Sequence, residues 1–354
     1  MHEQKVIFVG TCQFDALSRL YRRFLPPEQQ VDVVRVASYE SATDDIQQMI
    51  QTADAVVLQV TDFAPKIGEI RPRGRTYLVP FVMAPFLWPY SGHAHPANKR
   101  FSFQPDGPYP ADVGDGFLNR MLQKEVAPPR EAVDRYLALD IVKEANLDRV
   151  YEISLHKQRK LDGITGYCIT KFLESKLCNE QIFRTVGHPV GALLAELAKT
   201  LFSQMGLNPV LLDNITNADY GALVPVTELP IHPAIATHFR LRFIGAEHRY
   251  TYFGEGRFTF EEYALRYMNF IWDPLLAEGF DAGNKRDFAR SAELLEQALK
   301  VSLRSAHGHV FLSDIYMHLG QHDKAVDHAH RAVAIEPDNQ KYLERVQRLG
   351  DIKH

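Results

Sequence analysis

Apolar positions in the first quarter of the chain fall in short runs separated by stretches of helical spacing. Lys5-Val-Ile-Phe-Val-Gly10 is β-branched and closed by glycine, and beyond it Phe14, Leu17, Leu20, Tyr21 and Phe24 recur every three or four residues. This is the pattern of a strand, a tight turn and a helix. Val31 to Val36 reads as a second strand, Thr43 to Thr52 as a polar helix, Ala55 to Val60 as a third strand and Thr76 to Val82 as a short fourth. Parallel neighbours need crossover connections, so strands alternating with helices predict an α/β core, about residues 4–85, with a parallel, doubly wound sheet flanked by helices.

The pattern changes twice more. Between Ala84 and Pro110, Pro85, Pro89, Pro96, Pro105, Pro108 and Pro110 exclude a continuous helix and predict a long ordered loop or lid. Residues 128–210 read as mostly helical, with the clearest helix from Pro189 to Gly206, where Leu193, Leu194, Leu197, Leu201 and Met205 share a face. In the last third, Leu312, Ser313, Tyr316, Gly320, Ala325, Ala329, Ala332 and Pro337 fit a tetratricopeptide (TPR) spacing, with small residues where two helices cross. Phe288 to Leu299 matches the second helix of an earlier repeat whose first helix is unrecognisable, and Tyr342 to Leu349 reads as a closing helix. The expected division is an α/β catalytic domain over 1–280 and an all-α TPR-like segment over 281–354 that could recruit a protein partner.

Composition narrows the class. Hydrophobic residues make up 45% of the 354, ordinary for packed cores. A net charge of -4 predicts neither a nucleic-acid binder nor a polybasic membrane protein, so any anion site has to be local. Aromatic residues are not interleaved with basic ones as on an RNA-binding surface. Cys12, Cys168 and Cys178 are too few for a disulfide framework and lack zinc-site spacing, which fits a reducing compartment. The Val6 to Val9 run is too short for a secretory segment, and no run approaches the ~20 residues of a membrane span, so a cytoplasmic location is expected. Dinucleotide-fingerprint, Walker A and HExxH patterns are absent.

Gly10-Thr-Cys-Gln13 occupies the first strand-to-helix turn, where open α/β sheets present ligands. A cysteine at a helix N-terminus is inclined to ionise, and the N–H groups there, with the Gln13 amide, suit a developing oxyanion. The competing reading of Cys12 is an ordinary buried thiol. His188, directly ahead of the Leu-rich helix, would be kept neutral by the helix's positive end and could take a proton from a thiol; a capping or packing histidine is the other reading. Gln59, ending the third strand, could reach the same oxyanion or satisfy a neighbouring backbone group. His93 and His95 stand two apart and face one side of an extended segment; without a third ligand at a characteristic spacing, substrate contact is favoured over metal binding, and no metal is predicted. Lys66, Arg71, Arg73 and Arg75 follow the third strand, on the same rim as Cys12 if the sheet is parallel, and could hold the phosphates of a nucleotide-bearing cofactor; a solvated loop is the ordinary alternative. Asp62, Glu69 and Asp162 are candidate carboxylates to orient the histidine.

The ordered set Gly10-Thr-Cys-Gln13, Ala53-Asp-Ala-Val-Val-Leu-Gln59, Pro89-Tyr-Ser-Gly-His-Ala-His-Pro96 and Ile182-Phe-Arg-Thr-Val-Gly-His-Pro189 resembles the WcbI-like capsular polysaccharide biosynthesis proteins over residues 4–210. The resemblance implies a fold distantly similar to SGNH/GDSL hydrolases, with cysteine in place of serine, and a sheet of the SGNH/flavodoxin-like kind. It further implies coenzyme A or acetyl-CoA as cosubstrate and acetyl transfer to a sugar-like acceptor, with Cys12 as nucleophile, His188 as base, and Gln13 and Gln59 at the oxyanion. Thr11 and Gly187 stand where the family has asparagine, so two side-chain amides are missing from the polar network. The leading expectation is a coenzyme A-dependent acyltransferase. The rivals are an SGNH-like esterase or thioesterase and a non-catalytic protein that recruits partners through its helical repeat.

Overall fold

The computed structural model describes residues 5–24, 32–37, 44–61, 74–98, 109–124, 128–207, 228–245, 247–252, 256–270, 274–301, 305–335 and 340–351. The chain opens with β1 (Lys5–Gly10), α1 (Gln13–Phe24), β2 (Asp32–Ala37), α2 (Asp44–Thr52), β3 (Ala55–Val60) and β4 (Arg75–Pro80). Helices follow as α3 (Gly116–Lys124), α4 (Pro129–Leu137), α5 (Ile141–Glu144), α6 (Leu147–Thr165) and α7 (Ile169–Lys176), then a small hairpin, β5 (Phe183–Thr185) and β6 (His188–Pro189), and α8 (Gly191–Gln204). The remainder is α9 (Pro233–His238), β7 (Tyr250–Tyr252), β8 (Gly256–Phe258), α10 (Phe260–Met268), α11 (Pro274–Asn284), α12 (Phe288–Val301), α13 (Ala306–His318), α14 (His322–Ile335) and α15 (Gln340–Asp351). None of the described helices is long and apolar enough to cross a membrane. The chain gathers into two compact units interleaved in sequence: Met1–Pro89, Leu139–Val226 and Ile231–Ala246 form one, and Tyr90–Ala138, Thr227–Pro230 and Glu247–His354 the other.

The first unit is built on the expected parallel sheet, small and outweighed by helices, in the order β2-β1-β3-β4. Its apolar strands alternate between faces. Ile7, Val9 and Val56 pack with Ile50 of α2, while Phe8 meets the ring edges of Phe14 and Tyr21 on α1. The α1 stripe of Phe14, Leu17, Leu20 and Tyr21 is buried, and Tyr21 extends the core to Phe202 of α8. The order reverses between β1 and β3, and ligands of open sheets bind at such a switch point, beyond the carboxyl ends of the strands. Gly10 ends β1 there because a side chain does not fit: a Cβ would lie 2.6 Å from Phe14 Cδ2 and 2.9 Å from Gln59 Cβ.

Two expectations near this unit change. The helix read from Pro189 begins at Gly191, because Pro189 pairs with Phe183 in the β5–β6 hairpin and Val190 is extended. Cys178, with a weak S–H donor, caps Phe239 O at 3.3 Å and is structural.

In the second unit the described part of the proline-rich segment is a set of turns pinned by Gly92 N to Ala111 O, His95 N to Tyr109 O and Gly116 N to Tyr90 O. Asp115 is buried. One carboxylate oxygen accepts from the N–H groups of Phe117 and Leu118 at the start of α3, the other from Tyr136 Oη at 2.6 Å. Burial pushes its pKa up, against those hydrogen bonds.

Helices α11 to α14 enclose a core of Phe280, Leu295, Leu299, Leu312, Ile315, Tyr316 and Ala325, and Tyr342 of α15 packs on Ala306 and Ala332. The expected boundary at 280 falls inside α11, the helix that sequence left unrecognised. Its interior glycines hide it, and close crossing requires them: a Cβ on Gly279 would sit 2.7 Å from Leu295 Cγ, and one on Gly283 would sit 2.6 Å from Phe311 Cε1. Ser313 on α13 donates to Ala325 O at 2.7 Å, and Gly320, at φ 70°, turns the chain into α14. Pro337 lies outside the described residues.

Gly10→Ala is expected to destabilise the sheet by about 1–3 kcal/mol through overpacking, seen as a lower urea midpoint. Burial holds His95 near 4, and burial with neighbouring His328 does the same to His309, against 6.5 when unfolded. Between pH 6.5 and 4 the unfolded chain therefore binds more protons than the folded one. The stability contributed by these neutral histidines is full above 6.5 and lost as pH falls toward 4, so melting temperature should drop across that window in wild type and less steeply in His309→Gln.

Candidate active site

Cys12 sits in the turn between β1 and α1 with its side chain exposed. His188 approaches it from a distant part of the sequence, and its Nε2 lies 3.1 Å from Cys12 Sγ. On the other side of the ring, Thr185 Oγ1 is 2.5 Å from Nδ1. The β5–β6 register pairs Thr185 with His188, and residues opposite one another in an antiparallel ladder project to the same face. Sulfur, imidazole and hydroxyl thus form one line of polar atoms.

The turn and the hairpin are locked together by two buried amides. Gln13 Nε2 donates to Val82 O and to Gly187 O, both at 2.7 Å, and its Oε1 accepts from Gln59 Nε2 at 2.9 Å and Val82 N at 3.3 Å. Gln59 Oε1 accepts from both the N–H and the hydroxyl of Thr11, each at 2.8 Å. Gln13 and Gln59 are the two amides expected at the oxyanion. Both side chains are buried, and both Nε2 hydrogens of Gln13 are already given to main-chain carbonyls. They tie the turn to the hairpin, with the Thr11 hydroxyl completing the network where an asparagine amide was expected.

His188 is held neutral, its pKa lowered to about 4, first by burial and then by the positive charge of Arg184. The helix end invoked from sequence is not needed, since α8 starts at Gly191. Beside the pair lies a pocket of about 100 Å³, the volume of some three waters, walled by Ala16, Pro189 and Leu194 and by the charged Asp15, Arg19 and Arg184. Thr185, Arg19 and Arg184 were missed by sequence reasoning. The only sequence signal for Thr185 is its place three residues before His188, and only the hairpin makes that spacing meaningful.

The other expected residues are not gathered here. Arg75 opens β4 opposite Ala55, at the amino-terminal edge of the sheet, whereas Cys12 lies beyond the carboxyl-terminal edge, so the shared rim expected for Arg75 is corrected. Lys66, Arg71, Arg73, Asp62 and Glu69 lie outside the described residues. Asp162 accepts from Thr170 N at 2.8 Å, satisfying a donor at the start of α7 rather than an imidazole. His93 and His95 belong to the second unit and do not share a face. His93 is exposed, while His95 is buried among Tyr109, Tyr267 and Phe270, with Nε2 3.1 Å from Tyr267 O and Nδ1 accepting from Ala97 N. The substrate role expected of His95 gives way to a packing role, because both its nitrogens are engaged inside an aromatic cluster. Among the described residues no group of three or more His, Cys, Asp or Glu could hold a metal ion.

Comparison with known proteins bears on the family and the fold. No curated protein sequence matches the chain. A solved structure described as WcbI, a novel polysaccharide biosynthesis enzyme, in its native form without a disulfide bond between coenzyme A and one of its cysteines, superposes with a TM-score of 0.51 at 16% identity. The match covers 94% of this chain and 99% of that one, and it establishes likeness of fold. The family model for the polysaccharide biosynthesis enzyme WcbI matches residues 5–210, the stretch that holds the parallel sheet, Cys12 and the His188 hairpin. The chain belongs to the WcbI family of polysaccharide biosynthesis enzymes.

Proposed function

We propose that this protein is a coenzyme A-dependent acyltransferase that moves a short acyl group to a hydroxyl or amine of a sugar-like acceptor, with Cys12 as nucleophile and His188 as base. The observation that carries the reading is the 3.1 Å contact between an exposed thiol and the Nε2 of a neutral imidazole. Nucleophilic catalysis needs that pair within hydrogen-bond reach. The description of a structurally similar enzyme in terms of coenzyme A and a cysteine supports a thioester as the donor.

Cys12 Sγ forms a bond to the thioester carbonyl carbon while its proton passes to His188 Nε2. The carbon–sulfur bond to coenzyme A then breaks, and the departing thiolate takes that proton. In the second half His188 accepts a proton from the acceptor as its oxygen or nitrogen bonds to the acyl carbon, and Cys12 leaves and is reprotonated. Arg19 and Arg184 supply positive charge for the anionic donor, and the small apolar wall of the pocket suits an acetyl-sized group. The negative charge that develops on the acyl oxygen lies at the amino end of α1, whose dipole favours it.

The 2-1-3-4 parallel order supports the SGNH/flavodoxin-like description of the sheet, and the small-residue crossing of α13 with α14 supports a TPR-like reading of the C-terminal helices, which would offer a surface for a protein partner. A reduced thiol at the centre of the chemistry fits a cytoplasmic location.

Incubation with acetyl-CoA followed by intact-mass and peptide analysis should place one acyl group on Cys12, and Cys12→Ala should carry none. An acylated residue elsewhere, with full activity in Cys12→Ala, would remove the nucleophile role. Release of free acetate without transfer to any sugar acceptor would identify a hydrolase instead. His188→Ala is expected to lower kcat by about 10²–10⁴-fold with the melting temperature preserved. Because the base form of His188 is lost only as pH falls through about 4, the acid limb of kcat/KM should lie near that value and not near 6.5.

A further inference from the structure

We infer that Thr185 is the positioning residue of this site, and that its uncharged hydroxyl sets the resting pair as neutral thiol and neutral imidazole rather than as a thiolate–imidazolium ion pair. The inference rests on the reading of Cys12 and His188 as nucleophile and base, and adds the third group that fixes how they work. Thr185 is buried, lies across the hairpin from His188, and brings Oγ1 to 2.5 Å from Nδ1.

With Nε2 accepting from the Cys12 thiol, Nδ1 carries the ring hydrogen and donates it to Thr185 Oγ1. This holds the ring plane, as a carboxylate does in Ser-His-Asp triads, although a hydroxyl, unlike a carboxylate, can serve either tautomer. A carboxylate also stabilises the imidazolium, and a hydroxyl has no charge with which to do so. Arg184 acts in the same sense on the ring, while the amino end of α1 beside Cys12 and the Asp15 carboxylate pull toward the ion pair. Arg184 on β5 is positive; Asp15 and Arg19 on α1 line the same pocket with opposite charges; α8 contributes the apolar Leu194. The amides of Gln13 and Gln59 that brace the hairpin are neutral. An imidazolium here would have a buried hydroxyl on one side and a guanidinium nearby, so the proton remains on sulfur until a carbonyl carbon is at hand. A thiol kept protonated is a poor target for alkylation and oxidation, which suits an exposed cysteine that must stay reduced between turnovers.

The test is the pH dependence of iodoacetamide alkylation at Cys12 in the full-length protein, read by peptide mass, for wild type, Thr185→Ser, Thr185→Val and Thr185→Asp. Wild type and Thr185→Ser are expected to react in a single step, with no reactive plateau on the acid side of it. Thr185→Asp should add a reactive plateau at lower pH, with the rate at pH 6 raised on the order of 10-fold, as the carboxylate admits an ion pair. Thr185→Val, which keeps the side-chain shape, should lose kcat on the order of 10-fold with KM little changed, and Thr185→Ser should restore it. A low-pH plateau already present in wild type would overturn the inference, as would wild-type kcat in Thr185→Val. If Thr185→Asp does not fold, the wild-type profile and the Val/Ser pair decide by themselves. Alkylation does not depend on acyl transfer, so a single-step profile in a protein that transfers no acyl group would sink the proposed activity and leave the pairing of Thr185, His188 and Cys12 in place.

Discussion

Two glutamines that touch no solvent hold this site together. Gln13 belongs to the first turn of α1 and Gln59 to the last positions of β3, yet their amides bond to each other, to Thr11 and to the carbonyl of Gly187 in a hairpin that lies 174 residues after Gln13. Each contact is an ordinary amide hydrogen bond, worth about 1 kcal/mol net when made and about 1–3 kcal/mol when a buried partner is left unsatisfied. Their joint consequence is larger than their sum as energies. With Gln13 donating to Val82 O and Gly187 O at once, the β5–β6 hairpin cannot drift from the end of the sheet without stranding the Gly187 carbonyl and one hydrogen of the buried Gln13 amide. The 3.1 Å approach of His188 to Cys12 depends on that constraint.

The site's electrostatics follow from where the hairpin lies. Tucked against α1, His188 loses water from most of its ring and faces Arg184, and both effects favour the neutral imidazole. Cys12, one turn away, remains exposed. A half-buried imidazole beside an exposed thiol is an asymmetric pair: the ring is kept neutral and the sulfur stays accessible. Gly10 matters to the same turn, since its missing side chain leaves room for Phe14 and Gln59 to close against it.

The place of Gly10-Thr-Cys-Gln13 in the first strand-to-helix turn was legible in sequence because strand–glycine–helix patterning fixes it, whereas the approach of His188 to Cys12 is seen only in the fold. The roles of the neighbours were not legible either. Gln13 and Gln59 were read as oxyanion donors because they are amides near a candidate nucleophile; whether an amide faces substrate or main chain depends on what packs over it, and here Val82, Gly187 and Gln59 take up the Gln13 amide. His95 was read as a substrate contact for the same kind of reason and proved to be enclosed by aromatic rings. Thr185 went unnoticed because a hydroxyl three residues from a histidine has no meaning until a bulged hairpin turns both to one side.

By itself the sequence determined the parallel α/β core, the position of the first turn at its carboxyl edge and the helical character of the C-terminal third, since these are set by local periodicity and by the crossover that parallel strands require. Tertiary structure alone decided which polar groups meet. The α11 glycines, the β5–β6 hairpin and the amide network join segments far apart in sequence, and local pattern carries no record of distances closed through space.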